Sequence, residues 1–378
     1  MSMLVKGETI SLPEFSRAAV VRRFGEPVKI ECVPVPPAPE PGALIVRTTA
    51  CSICGTDVHL SRGNLSLNVD LPVILGHEMV GRVVAIGAGA ERDSVGQTLA
   101  IGDRILWTHT ACGHCFYCTI ARQPTLCENR RAYMYENIEK PPYLLGGFSE
   151  YGYVLPESGR VRVPDNLDDG VASLCSCAFR SVMNAFENLG GIEPSEHVAI
   201  QGAGPLGVLA AAVARVNGAR TVSVIGAPDA RLALARDFGA THTFTIEGTT
   251  HEERVAALRD ITDGRGPDIV MEFTGHPNAF GEGLDMVRKG GRYLTVGQLG
   301  SGTTTFSPST IVKKNIRVIG SFSGDVKSYW KALQFASAHI DHIPFGKMIT
   351  GRYSLDDVNT ALERMHALQE IKPLIVME

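Results

Sequence analysis

Apolar positions along the chain fall into two textures. Up to about residue 180 they form short β-type runs, at 18–21, 43–48, 81–86, 104–106 and 151–155, punctuated by prolines and glycines. The proline-rich stretch 34–41 predicts an extended connection. Near residue 184 the pattern changes. Apolar strands at 197–201, 221–225, 243–246, 269–273, 291–296 and 316–321 are joined by helical periodicity at 206–216, 231–238, 252–261 and 277–286. This alternation predicts an α/β, doubly wound parallel sheet, whereas the first half predicts an irregular β-rich domain. The tail predicts helices at 326–338 and 355–368 and a last strand at 373–377. At 378 residues the chain exceeds the usual size of one core, so two domains are expected.

Composition narrows the function classes. The formal net charge of −4 gives no reason to expect nucleic acid or an anionic membrane as partner. No apolar run reaches the roughly 18–20 residues that span a bilayer. Charges at Lys6, Glu8, Glu14, Arg17, Arg22 and Arg23 interrupt the start of the chain, where no secretory pattern is visible, so a cytoplasmic location is expected. The nine cysteines fit that expectation. Cys112, Cys115, Cys118 and Cys127 crowd into one segment at a spacing that suits metal thiolates rather than a disulfide framework. Four thiolates from one loop close a tetrahedral zinc site and leave no open position, so this zinc is expected to be structural.

The expected strand 197–201 runs into Gly202, Gly204 and Gly207, set as G-x-G-x-x-G with Pro205 and Leu206 before the third glycine. In a strand–turn–helix context this is a dinucleotide fingerprint. The first glycine makes the turn, the second admits the pyrophosphate, and the third lets the helix pack close. The acid that holds the ribose in NAD sites should stand about twenty residues on, where the chain has Gly226. Asp229 is nearby but displaced, and Arg231 can approach either a ribose or a 2′-phosphate. With no basic cluster present, NAD is placed ahead of NADP.

A second metal constellation is scattered. Cys54 precedes Thr56, Asp57 and His59; Gly76, His77 and Glu78 follow; Cys175 and Cys177 stand just before the parallel-sheet half. A Cys₂His set from these would leave a fourth position open to water or an alcohol.

Taken together, the Gly76-His77-Glu78 motif, the Cys54 segment, the four-cysteine lobe, the stretch 146–150 and the glycine fingerprint resemble the zinc-containing medium-chain dehydrogenase/reductase family, nearly end to end. The resemblance implies a GroES-like β-rich catalytic domain at 1–180, an NAD(P)-binding Rossmann domain at 181–325, and a return to the catalytic domain at 326–378. It implies a catalytic zinc on Cys54, His77 and Cys177, with Glu78 as transient or alternative ligand and Asp57 orienting His77. Cys177 is preferred to Cys175 because the residues after it match the family's run toward the nicotinamide. The lobe's gap before Cys127 is one residue longer than the family pattern. Thr56 would bond the substrate oxygen, His59 would end a proton relay, and Lys372 would approach the cofactor pyrophosphate. Ser181, Thr274 and Gly297 complete the expected cofactor contacts.

The function so implied is hydride transfer between an alcohol/carbonyl pair and NAD or NADP, with two zinc ions per chain, in a homodimer or homotetramer. Thr108, His109 and Arg180 suggest a polar or anionic substrate, such as a polyol or a hydroxy acid derivative. The alternatives are a catalytically inactive zinc and dinucleotide-binding protein, and a zinc-independent double-bond reductase of the same fold.

Overall fold

The apolar runs of the first half become neighbouring strands of one sheet in the computed structural model, which describes residues 3–5, 8–64, 68–298, 300 and 302–377. The chain forms two compact units, one of Met1–Arg180, Gly324–Ile340 and Met348–Glu378, the other of Ser181–Ser323 and Asp341–Lys347.

In the first unit the strand Leu44–Ser52 is the organiser. Its residues are buried on both faces apart from Arg47 and Thr49, and it pairs antiparallel with Met79–Ile86, Tyr151–Val154 and Lys372–Val376. The seven-stranded sheet continues to Arg104–Thr110 and Ser158–Arg162 on one side and to Ile349–Tyr353 on the other. Thus the C-terminal strand lies against the strand that leads to Cys54, with Leu374 opposite Ser52. A three-stranded sheet of Lys29–Pro34, Phe15–Val21 and Val73–Ile74 shares the same core, which includes Trp107, Tyr133 and Phe148.

Short helices that periodicity does not reveal hold the ends of these strands. Gly55–Ser61 and Asp169–Cys175 have seven residues each, two turns, which is too short for an amphipathic stripe to register. Asp168 caps the second by accepting the Val171 N–H at 2.9 Å. The helix expected at 355–368 is a 3₁₀ turn, Leu355–Asp357, followed by an α-helix, Val358–His366.

The second unit is a six-stranded parallel sheet. Numbered by sequence, its strands lie in the order 3-2-1-4-5-6: His242–Thr245, Thr221–Gly226, His197–Gln201, Ile269–Glu272, Arg292–Thr295 and Arg317–Gly320. The first and fourth strands are therefore adjacent, with Val198 opposite Ile269. Their carboxyl ends open at the switch point where doubly wound sheets take ligands. Among the described residues no helix is long and apolar enough to cross a membrane.

Candidate active site

Three segments far apart in sequence converge in the first unit. Cys54 is the extended residue preceding the helix Gly55–Ser61. His77 and Glu78 follow Gly76, and Cys177 lies between the helices Asp169–Cys175 and Ala178–Leu189. The donor atoms of Cys54, His77, Glu78 and Cys177 all lie within 4.8 Å of one another. Cys175 does not join them. It is fully buried on its own helix, its thiol directed to the Val171 carbonyl at 3.5 Å. Gly76 is required by space as well as by its φ of +90°, since a Cβ there would sit 2.6 Å from the Phe148 ring and 2.8 Å from its backbone nitrogen.

Asp57, fully buried, ties two of these segments together. One oxygen accepts the Cys54 N–H at 2.8 Å. The other accepts the Gly76 N–H at 2.9 Å and lies 3.6 Å from His77 Nδ1. Glu78 is held from the far side by Lys372 and by the Ser52 hydroxyl. Lys372 is 1 % exposed and also donates to the Ile53 carbonyl at 3.3 Å. Burial opposes its charge, but Glu78, Cys54 and Cys177 outweigh that and keep its pKa above the ordinary lysine range. Removing one partner of such a buried pair costs about 3–5 kcal/mol.

The donor chemistry fits a zinc ion. A hydrogen bond from Cys54 holds the Cys177 thiol well below its usual pKa, against the effect of burial. The same contact with Cys177, together with burial, pushes Cys54 up to about 11. The two sulfurs contact each other beside an imidazole and a carboxylate, a donor set that suits a soft divalent cation. Thr56 Oγ1 lies 3.7 Å from Cys54 Sγ, and His59 is exposed on the same short helix. His109 stacks on His77 with ring centroids 6.3 Å apart. Burial, with Arg130 and Arg180 nearby, keeps it well below the usual histidine pKa.

The four-cysteine lobe forms a second donor set, its sulfurs also within 4.8 Å of one another. The segment before Cys127 includes the 3₁₀ turn Pro124–Leu126. Asn129 donates to Cys112 Sγ at 3.4 Å and leads the influences that bring its thiol down to about 5.

In the second unit backbone geometry accounts for two of the fingerprint glycines. Gly202 has a φ of +112°, and a Cβ on Gly207 would lie 1.8 Å from the Gly202 carbonyl oxygen. Gly204 immediately precedes the helix Pro205–Val216, whose first residues are Pro205 and Leu206. Gly226 ends the second strand, and a Cβ there would meet Ala203 Cβ at 2.7 Å. That contact explains why no acid occupies the position. Arg231 is half-buried in the first turns of the helix Asp229–Asp237, and Ser181 begins this unit in the helix Ala178–Leu189.

Residues 40–165 match the alcohol dehydrogenase GroES-like domain, and residues 205–338 match the zinc-binding dehydrogenase family. A 5-exo-hydroxycamphor dehydrogenase of Pseudomonas putida is 33% identical over 365 residues, 96% of this chain and 99% of that protein. The chain belongs to the zinc-containing medium-chain alcohol dehydrogenases. An L-threonine 3-dehydrogenase of Deinococcus radiodurans is 31% identical over 90% of this chain and 92% of its own length. The crystal structure of an alcohol dehydrogenase from Thermotoga maritima superposes with a TM-score of 0.91 at 33% identity, covering 96% of this chain and all of that one. The chain is thus an oxidoreductase of a family that uses zinc and a nicotinamide cofactor.

Lys372, which the resemblance directs to the pyrophosphate, has its ammonium buried on Glu78 at the start of the last strand. Glu272 went unseen within an apolar strand. It is fully buried, and its carboxylate accepts from Thr274 N (2.6 Å) and Oγ1 (2.8 Å), Gly275 N (2.7 Å), Thr295 Oγ1 (3.1 Å) and Gly297 N (3.2 Å). One carboxylate so fixes the loops after the fourth and fifth strands, which hold the expected contacts Thr274 and Gly297. A carboxylate directly after three apolar residues, Ile269–Met271, is the signal that the sequence carries. Glu272→Gln leaves several of these donors without an acceptor, at about 1–3 kcal/mol. The expected outcome is a lower melting temperature by calorimetry and weaker NADH binding by fluorescence titration, with zinc content unchanged.

Proposed function

We propose that the enzyme moves a hydride between a polar alcohol and NAD at the Cys54, His77 and Cys177 cluster, with Glu78 as alternative donor. The observation that carries this reading is the convergence of those donors within 4.8 Å of one another, with a hydroxyl beside them. A zinc ion bound there supplies Lewis-acid polarisation of the substrate oxygen. Thr56 would take the substrate's hydroxyl proton while giving up its own toward His59, one helical turn on and exposed, which would release a proton to solvent. Asp57 keeps the His77 ring oriented throughout. The completeness of the donor set argues against a zinc-free double-bond reductase.

The finer parts of the reading have their own support. Cys112, Cys115, Cys118 and Cys127 would hold a second, structural zinc, since four thiolates leave no position for substrate. NAD is favoured over NADP because the segment around Gly226 has one cation, Arg231, and an acid, Asp229. The strand Arg317–Gly320 ends its sheet with three of four residues exposed, which suits pairing in a homodimer or homotetramer. The absence of any disulfide among the nine cysteines suits a cytoplasmic setting. The domain division 1–180, 181–325 and 326–378 goes with the same assignment of roles.

His77→Ala or Cys54→Ser is expected to abolish alcohol oxidation while NADH binding stays measurable. Activity retained in zinc-free protein would sink the mechanism. Metal analysis should give about two zinc ions per chain, and Cys115→Ser should remove one of them and lower the melting temperature without abolishing NADH binding. NADH should bind more tightly than NADPH in the same titration.

A further inference from the structure

The strand Arg104–Thr110 brings His109 alongside His77, their rings stacked with centroids 6.3 Å apart and planes 25° apart. The Tyr133 ring flanks the same imidazole at 6.1 Å. Tyr133 is itself fixed. It is 2 % exposed, and its hydroxyl sits 2.8 Å from that of Ser158 and accepts the Leu155 N–H at 3.0 Å. His109 is therefore held between a candidate metal donor and an anchored phenol.

One hydrogen bond decides what this ring can do. Nδ1 lies 3.1 Å from the backbone nitrogen of Tyr133, whose N–H can only donate. Nδ1 must accept, so the ring is neutral and carries its proton on Nε2. Among the described residues no group accepts from that Nε2–H. Nor is the atom sealed from solvent, in contrast to Nε2 of His197, which is buried without a partner. A donor that the protein fixes and does not use is open to a ligand.

His109 also lines a cavity of about 160 Å³ whose surface is mainly apolar, with Ala111, Pro124 and Val326 in its wall. Two hydroxyls of the same wall are engaged by backbone. Thr108 donates to the His109 carbonyl at 2.7 Å and accepts the Gly159 N–H at 3.1 Å, and Thr110 accepts the Arg131 N–H at 2.9 Å. An apolar wall beside a placed donor suits a small carbon frame that bears a further oxygen.

We propose that His109 is a specificity-determining residue, whose Nε2–H donates to a second substrate oxygen on the carbon next to the one that loses hydride. The preferred alcohols are then vicinal diols. The proposal rests on the reading of Cys54, His77 and Cys177 as the place of the reacting oxygen.

The test compares oxidation by the zinc-loaded enzyme with NAD in two pairs of alcohols that differ by one oxygen: ethylene glycol with ethanol, and propylene glycol with isopropanol. In whichever pair turns over, the diol is expected to be preferred by about tenfold or more in kcat/KM, because the simple alcohol leaves the Nε2–H unpaired. His109→Phe, which keeps a flat ring without a donor, should bring that ratio below about threefold. His109→Gln, which keeps a side-chain N–H, should restore part of it. Melting temperature is the folding control. A second measurement needs neither turnover nor a variant. By nitrogen NMR of the zinc-loaded protein carrying isotopically labelled histidine, His109 should show the Nε2–H tautomer, and its Nε2 resonance should move with the diols and not with the simple alcohols. Diols and simple alcohols oxidised equally well, a ratio unchanged in His109→Phe, or a proton found on Nδ1 overturns the proposal and leaves the dehydrogenase reading standing. No turnover of any alcohol, with the diol-specific shift intact, overturns the dehydrogenase reading and leaves the His109 contact standing.

Discussion

A buried carboxylate must be hydrogen-bonded on every side it presents, and in this protein Asp57 meets that demand with the segments that carry the candidate metal donors. Its oxygens hold the backbone N–H of Cys54 and of Gly76 and face the His77 ring. The position of two donors is therefore tied to one desolvated charge in addition to the packing around Gly76. Remove that charge and the helix start at Cys54 and the turn at Gly76 have nothing in common. Glu78 is constrained in the same way, by Lys372 and by Ser52 and Ser173, whose hydroxyls lie 2.7 Å apart. This second constraint makes the C-terminal strand part of the site, since Lys372 begins it.

The second unit uses the same device for a different purpose. Glu272 gathers donors from the loops after two adjacent strands, so their conformations are coupled through one carboxylate. Close backbone approach does the rest. At Gly207 and Gly226 any side chain would collide with a neighbouring carbonyl or with Ala203. The missing ribose acid is thus a consequence of packing at the end of the second strand, not an isolated change of residue.

Charge is distributed unevenly around the donors. Asp57 and Glu78 lie fully buried behind them, each satisfied by backbone, lysine or hydroxyl partners. Arg130 and Arg180 accompany His109 and the phenols of Tyr135 and Tyr329 on the other flank. Negative charge thus lies behind the candidate donors, and the two guanidiniums lie on the side of His109. A zinc ion on the two proposed thiolates would tolerate such neighbours, because the sulfurs would offset much of the cation's charge.

The features legible from residues alone were those whose parts are close in the chain. The four-cysteine lobe lies within residues 112–127, and the fingerprint within 202–207, so spacing expresses their geometry directly. The alternation of apolar strands and helices likewise determined the parallel sheet, because each element's period depends only on its own backbone. The scattered donors needed more. Cys175 and Cys177 differ by two residues, and only the end of the helix Asp169–Cys175 turns the second toward the cluster and leaves the first inside. Strand register put Lys372 on Glu78, and Glu272 became a hub because loops from separate strands met at it. Tertiary structure decided these because a buried charge acquires its partners from whichever segments pack around it, and no local pattern encodes which segments those are.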